Sequence, residues 1–340
     1  MAVDFDLASL EPWLVGQIPG FSGILSAEKF TGGQSNPTYR LVTDRGSYVL
    51  RRKPFGDLLP SAHAVDREFR LLSKLHPYGF PAPRPIALCD DANVIGAMFY
   101  LMEMVEGRTF WPGTMPDQEP TERRAIYEAM ILTLAHLHSI DHEAAGLGDF
   151  GRRGNYFARQ VDRWTKQYRA SQTDDIEEVE RLIEWFPRTI PEQTRTSIIH
   201  GDYRIDNLIF AGGSPTVAAV IDWELATIGD PLADFTYLMM NWVMPVDDRS
   251  GLAGSNFAAC GIPSMDEAMA LYCDATGRDG VPDLHWYFAF NLFRLTAILQ
   301  GVKRRMLDGN ASSANASELV ARLILHARAA WEQAEMAGAS

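Results

Sequence analysis

The sequence has few cysteines. Cys89, Cys260 and Cys273 are the three cysteines among 340 residues, and they form no Cys-x-x-Cys pair. Three scattered thiols are too few for a disulfide framework, and their spacing does not suggest a metal site. We therefore expect the protein to work in a reducing compartment, and we predict a cytoplasmic location.

The sequence also lacks long hydrophobic runs. No apolar stretch approaches the roughly 18 residues that a membrane-spanning helix requires. The N-terminus carries Asp4, Asp6 and Glu11, whereas a signal peptide places basic residues before an apolar segment. We therefore expect no signal peptide and no association with a membrane.

Positive charge is in deficit. Lys and Arg total 31 and Asp and Glu total 44, so the formal net charge is 31 − 44 = −13. This balance opposes general binding to nucleic acids or to anionic membranes, although a local basic patch can still hold an anion. We therefore expect no nucleic-acid partner, while the sequence leaves the oligomeric state open. The length is sufficient for two domains or lobes.

One stretch combines β-type apolar runs with three polar residues. Strands are predicted at 208–210 and 217–221, joined by a turn containing Gly212, Gly213 and Pro215, which predicts a hairpin. Asn207 and Asp222 then lie at its open end, and Asp202 enters from the preceding loop. Carboxylate and amide oxygens suit Mg²⁺ bound together with phosphate, and one spare carboxylate could accept a proton.

The order and spacing of these residues resemble a kinase pattern. His200-Gly201-Asp202 followed by Asn207 and a strand-borne Asp222 is similar to H-R-D-x-x-x-x-N followed by the aspartate of D-F-G. Glycine in place of the arginine, and Asp-Trp-Glu in place of D-F-G, are typical of the aminoglycoside phosphotransferase-like, or choline kinase-like, small-molecule kinases. The resemblance implies an α+β, two-lobed protein-kinase-like fold. It places a small antiparallel sheet in an N-lobe at 1–105 and a larger, mainly helical C-lobe at 106–340.

The resemblance assigns a role to each of these polar residues. Asp202 would be the catalytic residue that accepts or orients the proton of the acceptor hydroxyl, and Asn207 and Asp222 would hold Mg²⁺. His200 would support the loop through its ring N–H. Asp234 would be structural, holding the loop through backbone N–H groups. ATP and Mg²⁺ are the implied cofactors.

A glycine-rich turn between two predicted strands precedes these motifs. Its position resembles the kinase lid that covers nucleotide phosphates, so Gly33, Ser35 and Asn36 are candidate cofactor-binding residues. The second of these strands runs over 38–43, and a third follows at 47–53. The resemblance gives its Arg51 the place of the phosphate-binding lysine, with Glu68 of the next predicted helix as its partner. Lys53 is the alternative cation, because it lies on the same face of the strand.

The predicted strand at 98–105 resembles an interlobe hinge. Backbone groups of Glu103 and Val105 would then hydrogen-bond adenine, with Met102 or Met104 packing on the base. Methionine is equally suited to filling a buried strand, so the two methionines have no assigned role.

A basic stretch follows at 152–169. Six cations occur there in an acidic chain, which suggests an anion site; a solvated face balanced by the acidic run at 174–180 is the alternative. The candidate substrate-binding residues are Arg152, Arg159, Arg163 and, from the predicted helix at 284–307, Arg294.

Segments at 60–68 and 137–168 have a narrower resemblance. They are similar to the kinase-like domain fused to acyl-CoA dehydrogenases, a subgroup associated with phosphorylating the 4-hydroxyl of hydroxyacyl-CoA. The favoured function is therefore phosphoryl transfer to a hydroxyacyl-CoA or another anionic hydroxy compound. Alternatives are an aminoglycoside or amino-alcohol kinase and, in another class, a nucleotide-binding pseudokinase acting as an interaction module.

Overall fold

A computed structural model describes residues 3–30, 36–56, 63–245, 250–309 and 316–340. The protein has α+β architecture, with an antiparallel sheet in the first part of the chain and mainly helices after it. The strands are β1 Ile24–Lys29, β2 Thr38–Thr43, β3 Gly46–Arg52, β4 Pro85–Cys89, β5 Phe99–Glu103, β6 Ser197–Ile199, β7 Leu208–Phe210, β8 Val217–Val220 and β9 Thr227–Gly229. The helices are α1 Leu7–Val15, α2 Val65–Leu75, α3 Ala92–Ile95, α4 Pro120–Ser139, α5 Tyr156–Ser171, α6 Glu177–Thr189, α7 Leu232–Met239, α8 Phe257–Cys260, α9 Met265–Thr276, α10 Leu284–Leu307, α11 Ala316–Ala321 and α12 Leu323–Met336.

The chain divides into two compact units that are discontinuous in sequence. The first unit contains residues 1–111, 140–148 and 204–226, and the second contains 112–139, 149–203 and 227–340. Hydrogen bonds explain why the β7–β8 hairpin belongs to the first unit: Arg108 and Phe210 exchange two backbone bonds, and the Val220 N–H donates to Pro81.

The first unit is built on a five-stranded antiparallel sheet with strand order β1-β2-β3-β5-β4. Strand β2 alternates between half-buried and buried residues, as expected of a strand with one face in the core. Its Tyr39 and Leu41 pack with Leu50 of β3 and with Leu10 and Leu14 of α1. In β3 the last four residues are all buried, and because successive side chains point to opposite faces, Arg51 lies on the face opposite Leu50.

The second unit is mainly helical, with the short antiparallel pair β6–β9 inside it. Its core is rich in aromatic contacts, such as Phe157 of α5 against Trp286 and Phe290 of α10. Helix α6 adds Phe186 to this cluster. Strand β6 leads directly into His200, so this core supports the predicted catalytic loop, which contains His200, Gly201 and Asp202.

Several predicted elements differ from those in the structure. The prolines at 77–85 predict an extended connector, but a 3₁₀ turn spans His76–Tyr78 and Pro85 begins strand β4. The acidic run at 174–180 leads into helix α6. The sequence predicts one last helix from Glu318 to about Glu335, whereas the structure divides it at Arg322 into α11 and α12. Within the described residues, no helix combines the length and apolar composition needed to cross a bilayer.

Candidate active site

The β7–β8 hairpin positions Asn207 and Asp222 as the sequence predicts. Leu208 pairs with Val220, and the Ile221 N–H donates to the Asn207 carbonyl over 2.9 Å. The two residues therefore flank the open end of the hairpin, Asn207 just before β7 and Asp222 just after β8. Their side-chain oxygens belong to the class of ligand that Mg²⁺ prefers.

Asp222 has a backbone conformation that is unusual for a residue with a side chain. Its φ of 67° lies in the left-handed region, which is costly for a non-glycine residue and is often found at functional sites. The neighbouring Trp223 stabilises the turn, because its indole N–H donates to the Val220 carbonyl over 2.9 Å and its ring packs on Phe80.

Arg51 of β3 lies at the centre of an ionic cluster in the first unit. Its Nε is 2.8 Å from Oε2 of Glu68, although this N–H is not directed at an acceptor, so the contact is an ion pair without a hydrogen bond. Its Nη2 donates to Asp222 over 3.0 Å and to Glu224 over 3.4 Å. One guanidinium thus connects helix α2 with the residues that follow strand β8.

Glu68 is held by more than its ion pair. It is 4% exposed and accepts hydrogen bonds from the Tyr100 hydroxyl over 3.1 Å and from the Asn36 side-chain amide over 3.0 Å. Burial raises the pKa of Glu68, and the neighbouring Arg51 opposes that rise. Asn36 is fully buried, and its amide oxygen also contacts His63, so its side chain positions Glu68.

Lys53, the alternative cation, has a different partner. Its ammonium lies 3.3 Å from Asp66, at the start of helix α2. The contact between Arg51 and Glu68 that the resemblance implied is present, whereas Lys53 forms a separate and more exposed pair.

The catalytic loop is held by Asp234 of helix α7 in the second unit. One carboxylate oxygen accepts the His200 N–H over 2.5 Å, and the other accepts the Gly201 N–H over 2.8 Å. Asp234 is buried, which opposes its ionisation, but these hydrogen bonds and His138 hold its pKa below the ordinary value. Gly201 has a φ of 87°, a conformation that explains glycine at this position.

The ring of His200 also contributes to holding this loop. Its ring Nδ1 lies 3.2 Å from the backbone N–H of Asp202 and accepts that hydrogen bond. In this contact the ring supports the loop as an acceptor, because the donor is the peptide group of the residue that it helps to position.

Arg294 of α10 contacts the catalytic loop within the second unit. Its guanidinium donates to the Gly201 carbonyl over 2.6 Å and lies over the rings of Trp164 and Tyr237, at 5.5 and 5.1 Å from their centroids. Arg163 lies over the same Trp164 ring at 5.2 Å. Two cations and two aromatic rings are therefore contiguous with the residue that precedes Asp202.

The rest of the basic stretch is largely neutralised or bound locally. Lys166 pairs with Asp162, and Arg169 pairs with Glu180 of α6. Arg159 donates to backbone carbonyls of the 152–154 turn, including that of Arg152. Asparagine is common at helix N-caps, so the sequence predicts that Asn155 caps α5; it has a φ of 49° and makes no side-chain capping bond, and this prediction is wrong.

The other candidate cofactor-binding residues have mixed outcomes. Gly33 and Ser35 lie outside the described residues. The Glu103 N–H donates to the Arg84 carbonyl over 3.0 Å, so an adenine contact by Glu103 would use its carbonyl. Val105 follows strand β5, which ends at Glu103. Its role stays a prediction.

Some residues of the ionic cluster were not identified from the sequence. Tyr100 pairs with Arg51 across strands β5 and β3, and Glu224 follows Asp222 by two residues. The strand register identifies Tyr100, but that register depends on a pairing between distant segments. In the second unit, no pattern in the sequence indicated that the rings of Trp164 and Tyr237 would lie against Arg294.

The sequence matches the phosphotransferase enzyme family, abbreviated APH, over residues 26–272. The chain belongs to this family. It is 43% identical to acyl-CoA dehydrogenase family member 10 of Mus musculus, over 99% of this chain and 32% of that protein. It is 41% identical to acyl-CoA dehydrogenase family member 11 of Homo sapiens, over 91% of this chain and 40% of that protein. The chain thus spans less than half the length of these relatives.

Solved structures agree with this family. A Ralstonia eutropha protein provisionally described as an aminoglycoside phosphotransferase is 44% identical, with a TM-score of 0.90 over 98% of this chain and 99% of that chain. Aminoglycoside phosphotransferase APH(4)-Ia, solved with ADP and hygromycin B, shares the fold at 15% identity and a TM-score of 0.62, over 98% and 99% of the two chains. The family and the fold are those of a small-molecule kinase, as the sequence predicted.

Proposed function

We propose that this phosphotransferase is an ATP- and Mg²⁺-dependent kinase that phosphorylates a hydroxyl of a small anionic acceptor, with a hydroxyacyl-CoA favoured. The observation that carries the proposed reaction is the cluster in which Arg51 bridges Glu68 and Asp222. Such transfer depends mainly on positioning and on neutralising phosphate charge. The cluster supplies a fixed cation beside a carboxylate that is suited to a metal.

Asn207 and Asp222 offer oxygen ligands that suit a magnesium ion bound by the protein and by the nucleotide phosphates together. Among the described residues, no group of three His, Cys, Asp or Glu side chains converges to form a metal site on its own. Mg²⁺ is commonly bound by one or two protein oxygen ligands together with substrate phosphates. When bound, the ion would offset negative charge on the transferring phosphoryl group.

Each chain residue has a separate task in this proposal. Asp202 accepts or orients the proton of the acceptor hydroxyl, while Asp234 fixes its loop through two backbone N–H groups. Arg51 attracts the α- and β-phosphates, and Glu68 holds its guanidinium in place. Gly33, Ser35, Glu103 and Val105 are the proposed additional nucleotide contacts.

The proposed acceptor class rests on the cations beside the loop. Arg163 and Arg294 share the Trp164 ring, and Arg294 also contacts Gly201. A polycationic antibiotic would be repelled by such a pair, whereas a carboxylate or a phosphate of an acyl-CoA would be attracted. Relatives that are named as acyl-CoA dehydrogenases give independent support for an acyl-CoA acceptor.

An aminoglycoside or amino alcohol is the second candidate acceptor. The 44% identity to a protein provisionally described as an aminoglycoside phosphotransferase favours it. The two candidates differ in the sign of the acceptor's charge, so substitution of a cation distinguishes them. For Arg163→Gln, we expect the KM of an anionic acceptor to rise about tenfold. A lower KM for an aminoglycoside would favour the second candidate.

A coupled ADP-release assay tests the reaction and the acceptor together. The panel contains hydroxyacyl-CoAs, free hydroxy acids, amino alcohols and aminoglycosides, each assayed with ATP and Mg²⁺. We expect turnover with a hydroxyacyl-CoA and a loss of about 10²- to 10⁴-fold in kcat for Asp202→Ala, with nucleotide binding retained. Asp90→Ala, which removes an exposed carboxylate, is the control. Unchanged turnover in Asp202→Ala would reject the assignment.

A further inference from the structure

Two neighbouring cavities occur in the second unit, away from the candidate catalytic residues. Their volumes are about 710 and 450 Å³, within the range of small-molecule sites. Both are lined by Arg195 and Arg278, and neither is lined by Asp202. The proposed phosphoryl transfer uses neither cavity.

The charged groups differ between the two cavities. The larger one includes carboxylates, among them Asp230 and Asp283. In the smaller one, the charged or titratable lining groups are two arginines, His138 and Tyr272, and the other polar side chains are hydroxyls; among the described residues, no carboxylate lines it. This lining suits an anion and disfavours a cation.

Arg278 is the residue in the smaller cavity with unused hydrogen-bonding capacity. It follows the end of helix α9, where its backbone N–H donates to the Cys273 carbonyl over 2.9 Å. Its Nε is enclosed and has no hydrogen-bond partner within the described parts of the chain. Burial raises the pKa of Asp230 to about 6 even though the Arg278 charge opposes the rise. The positive charge of Arg278 therefore acts on Asp230.

Arg195 differs from Arg278 because its terminal nitrogens are already engaged. They donate to the carbonyls of Thr276 and Gly277, at the C-terminal end of α9. It therefore contributes positive charge to the cavity while also stabilising the helix end. A planar arginine fork that still has donors available is suited to bidentate binding of a phosphate group.

The smaller cavity also contacts the residues that hold the catalytic loop. His138 and Tyr272 both line it and are joined by a hydrogen bond of 2.7 Å. His138 Nε2 lies 3.5 Å from the carboxylate of Asp234, which binds the N–H groups of His200 and Gly201. A molecule that contacts His138 in this cavity would therefore be separated from the loop by two residues, His138 and Asp234.

We propose that the smaller cavity is an effector site for a phosphate group, bound by Arg278 with Arg195 and coupled to the catalytic loop through His138 and Asp234. The phosphate can be free or part of a monoester, since a volume of about 450 Å³ exceeds that of orthophosphate and leaves room for an organic substituent. Binding would restrain the loop. Neither the binding nor the restraint depends on the identity of the acceptor.

Isothermal titration with inorganic phosphate and, separately, glycerol 3-phosphate tests the site on the full chain. Arg278→Gln should weaken binding of the preferred probe about 10- to 100-fold, the range expected for losing a hydrogen bond to a charged group. Arg188→Gln, which changes an exposed arginine on α6, should leave it unchanged. Tighter binding of inorganic phosphate would identify the free ion as the ligand class, and tighter binding of the monoester would identify a phosphorylated metabolite.

Hydrogen exchange of residues 198–203 provides a second measurement that requires no turnover. Saturating phosphate should slow exchange at the His200 and Gly201 amides in the wild type and in Arg188→Gln, and should not do so in Arg278→Gln. Equal phosphate affinity in wild type and Arg278→Gln would place binding elsewhere, for example at the nucleotide site, and would overturn the proposal. Absence of saturable binding by both probes would also overturn it.

Discussion

At the scale of single residues, Arg51 has the most demanding environment. Three carboxylates, those of Glu68, Asp222 and Glu224, lie within 3.4 Å of one guanidinium. Lysine could not reproduce these contacts, because an ammonium is a compact charge and lacks a planar fork. The geometry of the cluster therefore depends on arginine as well as on positive charge.

We predict that Arg51→Lys raises the KM for ATP about 10- to 100-fold and lowers kcat, because the shorter cation cannot contact Glu68 and a phosphate together. Steady-state kinetics with varied ATP provide the measurement. Lys53→Gln is the matched control, since its pair with Asp66 is separate, and it should change KM less than about threefold. A larger effect in Lys53→Gln than in Arg51→Lys would assign the phosphate contact to Lys53.

Asp230 gives a prediction about stability and pH. Burial raises its folded-state pKa from 3.8 to about 6, so the folded protein holds this proton more tightly than the unfolded chain. The stabilisation from the protonated form is present below about pH 4 and is lost as the pH rises through about 6. Asp230→Asn keeps an oxygen that can accept the Leu232 N–H and removes the ionisation.

We therefore expect Asp230→Asn to increase the free energy of unfolding by about 3 kcal/mol at pH 8 and by about 1 kcal/mol at pH 4.5. Urea denaturation at the two pH values measures the difference. An equal effect at both pH values would show that ionisation of Asp230 is not the cause.

At the scale of elements, the β7–β8 hairpin depends on a close backbone approach at Gly107. A Cβ at this position would lie 2.3 Å from the Phe210 carbonyl oxygen, next to the paired residues Arg108 and Phe210. We predict that Gly107→Ala destabilises the protein by about 2 kcal/mol through overpacking. Turnover should also fall, because the hairpin carries Asn207 and Asp222.

Gly212→Ala is the control for this prediction, because nothing lies within 4 Å of the added Cβ. Thermal unfolding and kcat should be close to the wild-type values in this variant. If both variants lose the same stability, the effect comes from loss of glycine itself and not from contact with Phe210.

The sequence predicted elements with strong local patterns and missed elements that depend on distant pairing. Helix α10 spans Leu284–Leu307, as predicted, because its dense apolar residues leave little alternative. Strand β4 was missed because its first residue is a proline and its pairing with β5 is not visible locally. Helix α6 was missed because its acidic residues hid a buried stripe containing Val179, Leu182 and Phe186.

The candidate site shows the same limit. Asn207 and Asp222 followed from a local hairpin, and Arg51 with Glu68 followed from resemblance to kinases. The contact of Arg294 with Gly201 joins residues 93 positions apart, and no local pattern specifies it. Sequence spacing therefore located the polar groups of the candidate site better than the aromatic residues around them.

At the scale of the whole molecule, the three thiols report on folding. Cys89 lies in the first unit and Cys273 in the second, and both are buried, whereas Cys260 is partly exposed. Burial raises the pKa of the Cys89 and Cys273 thiols, which lowers their reactivity. We predict that a thiol reagent modifies Cys260 rapidly in the native protein and all three cysteines in denaturant.

Mass spectrometry of digested samples identifies the modified positions over time. Cys260→Ser should remove the rapid phase and leave the two slow thiols. Rapid native modification of Cys89 or Cys273 would contradict the burial described for that thiol. Because the two buried thiols belong to different units, their rates also show whether one unit opens before the other.

The ionic cluster around Arg51 has a consequence for the order in which ligands add. The protein's own carboxylates already act as counter-ions to this guanidinium, so a nucleotide that binds Arg51, as we propose, would have to replace some of them. A divalent ion that binds Asp222 would make that exchange favourable, whereas a metal-free nucleotide would meet three negative groups around one positive group. We expect ADP to bind at least about tenfold more weakly in EDTA than with Mg²⁺, as measured by calorimetry. Equal affinity in the two conditions would contradict this coupling. Weaker binding in EDTA would show that the nucleotide and the metal ion bind together.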